Sequence, residues 1–288
     1  MRYIQSNLIF YGFTISFHHS KEVFVCSLIV NLRCVFWVAP SIRGGGIGSP
    51  RPASQRAAAF ILTAAMLTTL TAPAFAKTWD IADGDITVKA GEAEGPNKVK
   101  QGDSDFVKDE GDTIITGTSD KNTVTIEAEN KGDKVEVTLK DVNIEATGGK
   151  AAVSVTGKGD TNIELDGDNE LKRGADHAGL EHNKTDTSGE LIIQDNNKDG
   201  GSLKATGGQF GAGIGGAGVN DAQVKITGGK ITATGGEYGA GIGGGFKGSG
   251  DVTIEGNTEV NAAGGTGGAG IGGGYGAKNN SNSTGNQI

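Results

Sequence analysis

From residue 135 onward, apolar and polar residues alternate in short runs, as in Val137 and Leu139, Val224 and Ile226, and Ile231 and Ala233. Alternation with a period of two marks a strand with one buried face. Gly, Asn and Asp separate the runs, and no stretch beyond residue 76 has helical spacing. The runs also recur. Aligned on the isoleucine of GAGIGG, Ile214, Ile242 and Ile271 lie 28 and 29 residues apart. Degenerate copies place Val153 and Leu180 before them, at spacings of 27 and 34. A second column runs Leu139, Leu165, Ile193, Ile226 and Ile254, and a third runs Ile144, Leu171, Leu203, Ile231 and Val260. Three columns in step over five repeats predict coils of about 28 residues with three strands each.

The predicted fold class is all-β, a right-handed parallel β-helix. One coil cannot bury its apolar face alone, so stability grows with each stacked neighbour. A sandwich needs no fixed three-column register, and a propeller blade needs roughly 40 residues. Residues 77–134 are less regular and read as an N-terminal cap with irregular first coils, since an open coil edge is an aggregation template. Residues 135–288 read as the β-helix proper. The final GNQI resembles the start of a further first strand, as in GSGDVTI, so the coils are expected to be truncated at the C-terminus.

Period two places Ala240 and Ile242 inward and Gly239, Gly241 and Gly243 outward. Glycine in a strand costs about 0.5–1 kcal/mol relative to alanine. A bare glycine strip therefore predicts either a docking surface for a cell-surface or protein partner, or close packing of backbones. GAGIGGG also matches G-x-G-x-x-G. A dinucleotide turn needs a helix after it, and here Phe246-Lys247-Gly248-Ser249-Gly250 follows.

The first 76 residues differ in character. Residues 51–76, RPASQRAAAFILTAAMLTTLTAPAFA, combine Arg51 and Arg56, an apolar run from Ala57 to Ala72, and Ala74-Phe75-Ala76 as a cleavage signal. This pattern predicts a signal peptide and a secreted or cell-surface protein. The apolar run is short of the roughly 20 residues that span a bilayer. Residues 1–50 hold both cysteines, Cys26 and Cys34, and read as a non-native upstream extension. The alternative there is a membrane segment at 23–38, interrupted by Asn31 and Arg33. Of the chain's 26 basic and 34 acidic residues, six and one lie in residues 1–76, leaving 20 and 33 beyond them and a net charge of −13 there. That balance argues against nucleic acid and anionic membrane as partners and is compatible with Ca²⁺.

With the columns placed, the coils TGGKITATGGEYGAGIGGG and EGNTEVNAAGGTGGAGIGGGYG, preceded by ELKRGADHAGLEHN, resemble the secreted bacterial β-helix "carbohydrate-binding domain" proteins. The resemblance covers about residues 135–276. It implies a non-catalytic protein that binds acidic plant polysaccharide, with calcium held in the helix.

Several residues are candidates for that chemistry. Asp195-Asn196-Asn197-Lys198-Asp199-Gly200 lengthens its coil and reads D-x-N-x-D-G, the first half of a calcium loop. Thr206 stands where the loop's closing glutamate is expected. Asp195, Asn197 and Asp199, with Asp166 and Asp168 at the matching corner of the preceding coil, form the candidate metal set. An Asx-rich turn explains the same residues. Phe210 and Tyr238 precede the glycine motif, and Phe246 and Tyr275 follow it. In register, these four could pack against sugar rings or shield the coil corners. An outer column of Glu145, Lys172, Lys204, Thr232 and Asn261 is a polar face. His177 and His182 flank the degenerate Ala-Gly-Leu with Asp176 and Glu181 nearby; metal is the alternative there, but without a third ligand at strand spacing the two are expected to be surface residues. Spacing reveals no catalytic group, so no enzyme is expected; a polysaccharide lyase would need a base such as Lys172 or Arg173. The expected function is polysaccharide binding, with a surface or adhesin module as the alternative.

Overall fold

The computed structural model describes residues 7–10, 13–20, 23–27, 77–92, 95–278 and 283–285. The chain divides into two units, Met1–Thr69 and Leu70–Ile288. In the first, Asn7–Phe10, Phe13–Ser20 and Val23–Ser27 pair as an antiparallel sheet. The expected signal peptide at 51–76 lies outside the described residues, as does most of 23–38. Among the described residues no helix is long and apolar enough to cross a membrane.

The second unit is a parallel β-helix of about 5 turns, each of about 29 residues. The chain alternates apolar and polar side chains, so each strand turns one face inward and offers its backbone to the coils on either side. Three parallel ladders result. Thr113–Ser119, Lys134–Glu145, Ala222–Thr234 and Gly250–Ala263 each pass through a corner and serve the first and second ladders. Asp160–Asp166 and Leu191–Gln194 add to the first, and Asp168–Lys172 and Ser202–Thr206 to the second. The third runs through Ile86–Lys89, Val124–Ala128, Val153–Gly157, Leu180–His182, Ile214–Gly215, Ile242–Gly243 and Ile271–Gly272. Ser283–Gly285 pairs with 252–254 in the first ladder.

Inside, like stacks on like. Trp79, Ile115, Leu139 and Leu165 are register partners in turn and are all buried. The Trp79 indole N–H donates to the buried Asp109 carboxylate at 2.8 Å. Beyond Ile86–Lys89, the third ladder continues through antiparallel strands, Lys98–Gln101 and Val107–Lys108. They cover an edge that would otherwise template further pairing.

The third-ladder column holds as expected: Val153, Leu180, Ile214, Ile242 and Ile271 are partners in that order. The other two columns each slip by two residues at one coil. Ile193 pairs with Ile163, not Leu165, and Leu171 pairs with Ala205, not Leu203. The polar column slips with it, so Lys172 lies beside Thr206 while Lys204 lies beside Glu170. A slip of two keeps the same face inward, so hydrophobic pattern alone does not detect it. Leu203 instead shares its column with Asn169, which is buried. The Asn169 side chain accepts from the Val142 amide at 2.9 Å and donates to the carbonyls of Asp166 and Ser202 at 3.2 and 3.1 Å.

The glycine motif differs from an extended strand. Only Ile242–Gly243 is strand, and the Ala240 amide donates to the Gly244 carbonyl at 3.1 Å, closing a tight turn. The same closure joins Ala212 to Gly216 and Ala269 to Gly273. Ile242 is fully buried, its side chain packed into the core. Gly215, Gly243 and Gly272 occupy one column with φ of 126, 130 and 131°, a conformation that L-residues avoid. A Cβ on Gly243 would overlap the carbonyl of Gly272. All seven glycine-motif residues 239–245 are buried. The expected outward glycine strip is therefore corrected: these glycines let neighbouring backbones approach, and they offer no open surface to a partner.

Candidate functional site

A groove of about 680 Å³ lies on the outer face of the first ladder. Its floor is set by the strand alternation. Thr138, Glu164 and Gln194 are consecutive partners pointing outward, with Glu136 and Asn162 paired beside them. Neighbouring rungs lie about 4.8 Å apart, so these groups form a polar row along the helix axis. One wall is the segment 95–97. Asn97 fixes it by donating to the Glu136 carbonyl at 2.7 Å and to the Thr113 hydroxyl at 2.9 Å. The other wall is the loop at 195–200, of which Asn196 and Asn197 line the groove. The Glu164 carboxylate accepts the amides of both, at 2.7 and 3.1 Å. Glu136, Glu164 and Asp166 outweigh Lys134, so the groove is acidic.

The five candidate metal ligands do not meet as one set. Asp199 and Asp166 come into contact. Loss of hydration, and then the Asp166 carboxylate, hold Asp199 above the usual carboxylate range. Asp166 is also paired with Lys140 at 2.5 Å. Asn197 donates to Asp199 at 2.8 Å, while Asp168 accepts from the Ser202 hydroxyl at 2.7 Å. Asp195 lies under Gly228 of the next coil, as Asp141 lies under Gly167 and Asp80 under Gly117. These aspartates recur where the chain turns between first and second strands, and Asp141 accepts the Asp168 amide there at 3.1 Å. One oxygen of Asp195 is buried without a hydrogen-bond partner. Among the described residues no group of three His, Cys, Asp or Glu side chains is placed to hold a metal ion.

The four aromatic candidates do come together, in one ladder. Phe210 stacks on Tyr238 at 5.4 Å between centroids, and Phe246 stacks on Tyr275 at 6.1 Å. Phe210–Phe246, Tyr238–Phe246 and Tyr238–Tyr275 close the cluster at 5.4–5.8 Å. The rings stack along the helix axis and turn their faces toward one another, leaving Tyr275 the most exposed at 48%. The Tyr238 hydroxyl donates to Glu237, which holds the Glu237 carboxyl below its usual range and raises the phenol. The ladder and the groove lie on different corners of the coil and do not form one site.

Lys172 is paired with Glu170 and Glu145, and Arg173 donates to the Gly207 carbonyl; neither lines the groove. His182 is buried in the third-ladder column beside Val155, not on the surface. Its Nε2 lies 2.9 Å from the Gly189 carbonyl. His177 lies 2.6 Å from Glu181, which is only 6% exposed. Glu164 and Asn97 were not legible as site residues, because each stands at an ordinary polar position and meets its partners only across coils or loops; Glu181 meets His177 and Asn183 within its own coil. Comparison with protein-family models, curated proteins and solved structures found no match.

Proposed function

We propose that the protein is a non-catalytic, secreted polysaccharide-binding β-helix and that the first-ladder groove holds the polymer. The supporting observation is the polar row Thr138, Glu164 and Gln194, flanked by Glu136 and Asn162 and walled by two pinned loops. Its one-rung repeat suits an extended chain of sugars better than a compact ligand. Carboxylate and amide side chains pair readily with sugar hydroxyls. Because the groove is acidic, a neutral plant-type polymer can enter directly. An acidic polymer would need calcium between its carboxylates and those of Glu136, Glu164 and Asp166.

Affinity electrophoresis in gels containing xyloglucan, pectate or no polymer tests this reading. Retardation that falls in Asn162→Ala and Glu164→Gln is expected. Retardation on pectate should require calcium and vanish with chelator. If no polymer retards the chain with or without calcium, polysaccharide binding is wrong and a structural surface module takes its place.

A further inference from the structure

The repeat supplies its own control for residues that the fold does not require. At the position three before the third-strand apolar residue, the last three coils have Gly211, Gly239 and Gly268; the coil centred on Leu180 has His177. At the next position after it they have Gly215, Gly243 and Gly272; this coil has Glu181. Asn183 replaces Ala217, Gly245 and Gly274. The three replacements form one network. Glu181 lies 2.6 Å from His177 Nδ1 and accepts from Asn183 at 2.9 Å, and it is almost wholly buried. Burying a carboxylate carries a penalty of several kcal/mol before its partners offset it. The neighbouring coils stack with serine or glycine at the same place, so stacking does not explain the glutamate.

The network borders a separate cleft of about 300 Å³ on the outer face of the third ladder. Its floor is the hydroxyl row Thr87, Thr125 and Ser154, whose next partner is Glu181. Lys150, at the position of the preceding coil equivalent to His177, is 55% exposed and 3.4 Å from Asp85. Glu181 is occupied by its own partners, and Asp85 accepts from the Thr123 amide and hydroxyl. What remains available to a ligand is the Lys150 ammonium as donor, a hydroxyl row that can donate or accept, and His177 Nε2, an acceptor in the tautomer that gives Nδ1–H to Glu181.

We propose that this cleft is a ligand site distinct from the groove, and that it takes a small polyhydroxy carboxylate of the uronic-acid type. Lys150 meets the carboxylate, and the hydroxyl row and His177 meet the ring hydroxyls. Glu181 is a positioning residue that fixes the imidazole.

The test is calorimetric titration of the full chain with sodium galacturonate in chelator, alongside methyl galactoside as the neutral analogue. Imidazole resonances are followed in parallel. Saturable binding of galacturonate alone, with movement of the His177 signals, is expected. Lys150→Met should weaken it at least about tenfold, the effect of losing one charge-assisted hydrogen bond. Lys150 is exposed, so this variant reads the site even if His177→Gln fails to fold. Equal binding of the neutral analogue, no saturation, or unchanged affinity in Lys150→Met overturns the inference. So does loss of binding in the groove variant Glu164→Gln, which assigns the signal to the groove.

Discussion

Protonating His182 probes the packing of the third ladder directly. The ring sits at 2% exposure in line with Val155, Ile126 and Val88. Its two nitrogens face carbonyls, Nε2 at 2.9 Å from Gly189 and Nδ1 at 3.4 Å from Val155. Burial depresses its pKa, outweighing the two carbonyls and the nearby Glu190. The folded chain therefore binds this proton less readily than the unfolded chain, whose histidine titrates near 6.5. A depressed histidine contributes fully above the unfolded pKa and loses stability as pH falls below it. One proton limits the slope to about 1.4 kcal/mol per pH unit, or up to about 2 kcal/mol by pH 5. Carboxylates also begin to titrate there, so the comparison must be with His182→Leu. That variant keeps an apolar group in the column but leaves the Gly189 carbonyl unpaired, at about 1–3 kcal/mol. Urea unfolding followed by circular dichroism at pH 7.5 and pH 5 measures both proteins. The disadvantage of His182→Leu should shrink by about 1–2 kcal/mol at the lower pH. Parallel pH dependence in the two proteins would refute a buried neutral imidazole.

The core columns and corners give three further outcomes. Ile242→Ala, at a fully buried apex, should cost about 2–5 kcal/mol in urea unfolding, and Ile271→Ala on the less covered last coil clearly less. Gly243→Ala should cost at least about 2 kcal/mol, because φ is +130° and the methyl overlaps Gly272; a thermal midpoint near wild type would contradict the close packing of coils. Asn169→Leu should destabilise by about 1–3 kcal/mol despite restoring an apolar column, since the Val142 amide loses its acceptor.

The fold was legible because its unit repeats: a single Ile-Gly register carried through three coils fixes the third ladder. Leu165 and Leu203 show where that legibility fails. Between Ile193 and Leu203 the chain inserts a loop, and alternation with period two restarts after it without recording whether two residues were gained. Alternation reads the columns through Leu165 and Leu203, while the backbone pairs Ile193 with Ile163 ahead of that loop and Leu171 with Ala205 beyond it. The choice is physical. Asn169 must sit opposite Leu203 to bridge its own corner to the carbonyl of Ser202, and that requirement leaves no trace in an apolar pattern.

The candidate sites divide along the same line. A calcium motif judged by D-x-N-x-D-G counts oxygens along the chain, but a solenoid spends many of those oxygens on its own corners. Asp168 serves Ser202, and Glu164, which no motif marked, holds the amides of Asn196 and Asn197. The aromatic residues were legible in position but not in direction, because stacking at coil spacing turns their faces inward along the ladder. In a repeat protein, agreement with the repeat is explained by stacking. Departures such as His177, Glu181 and Asn183 are not, and they set the coil that carries them apart from its neighbours.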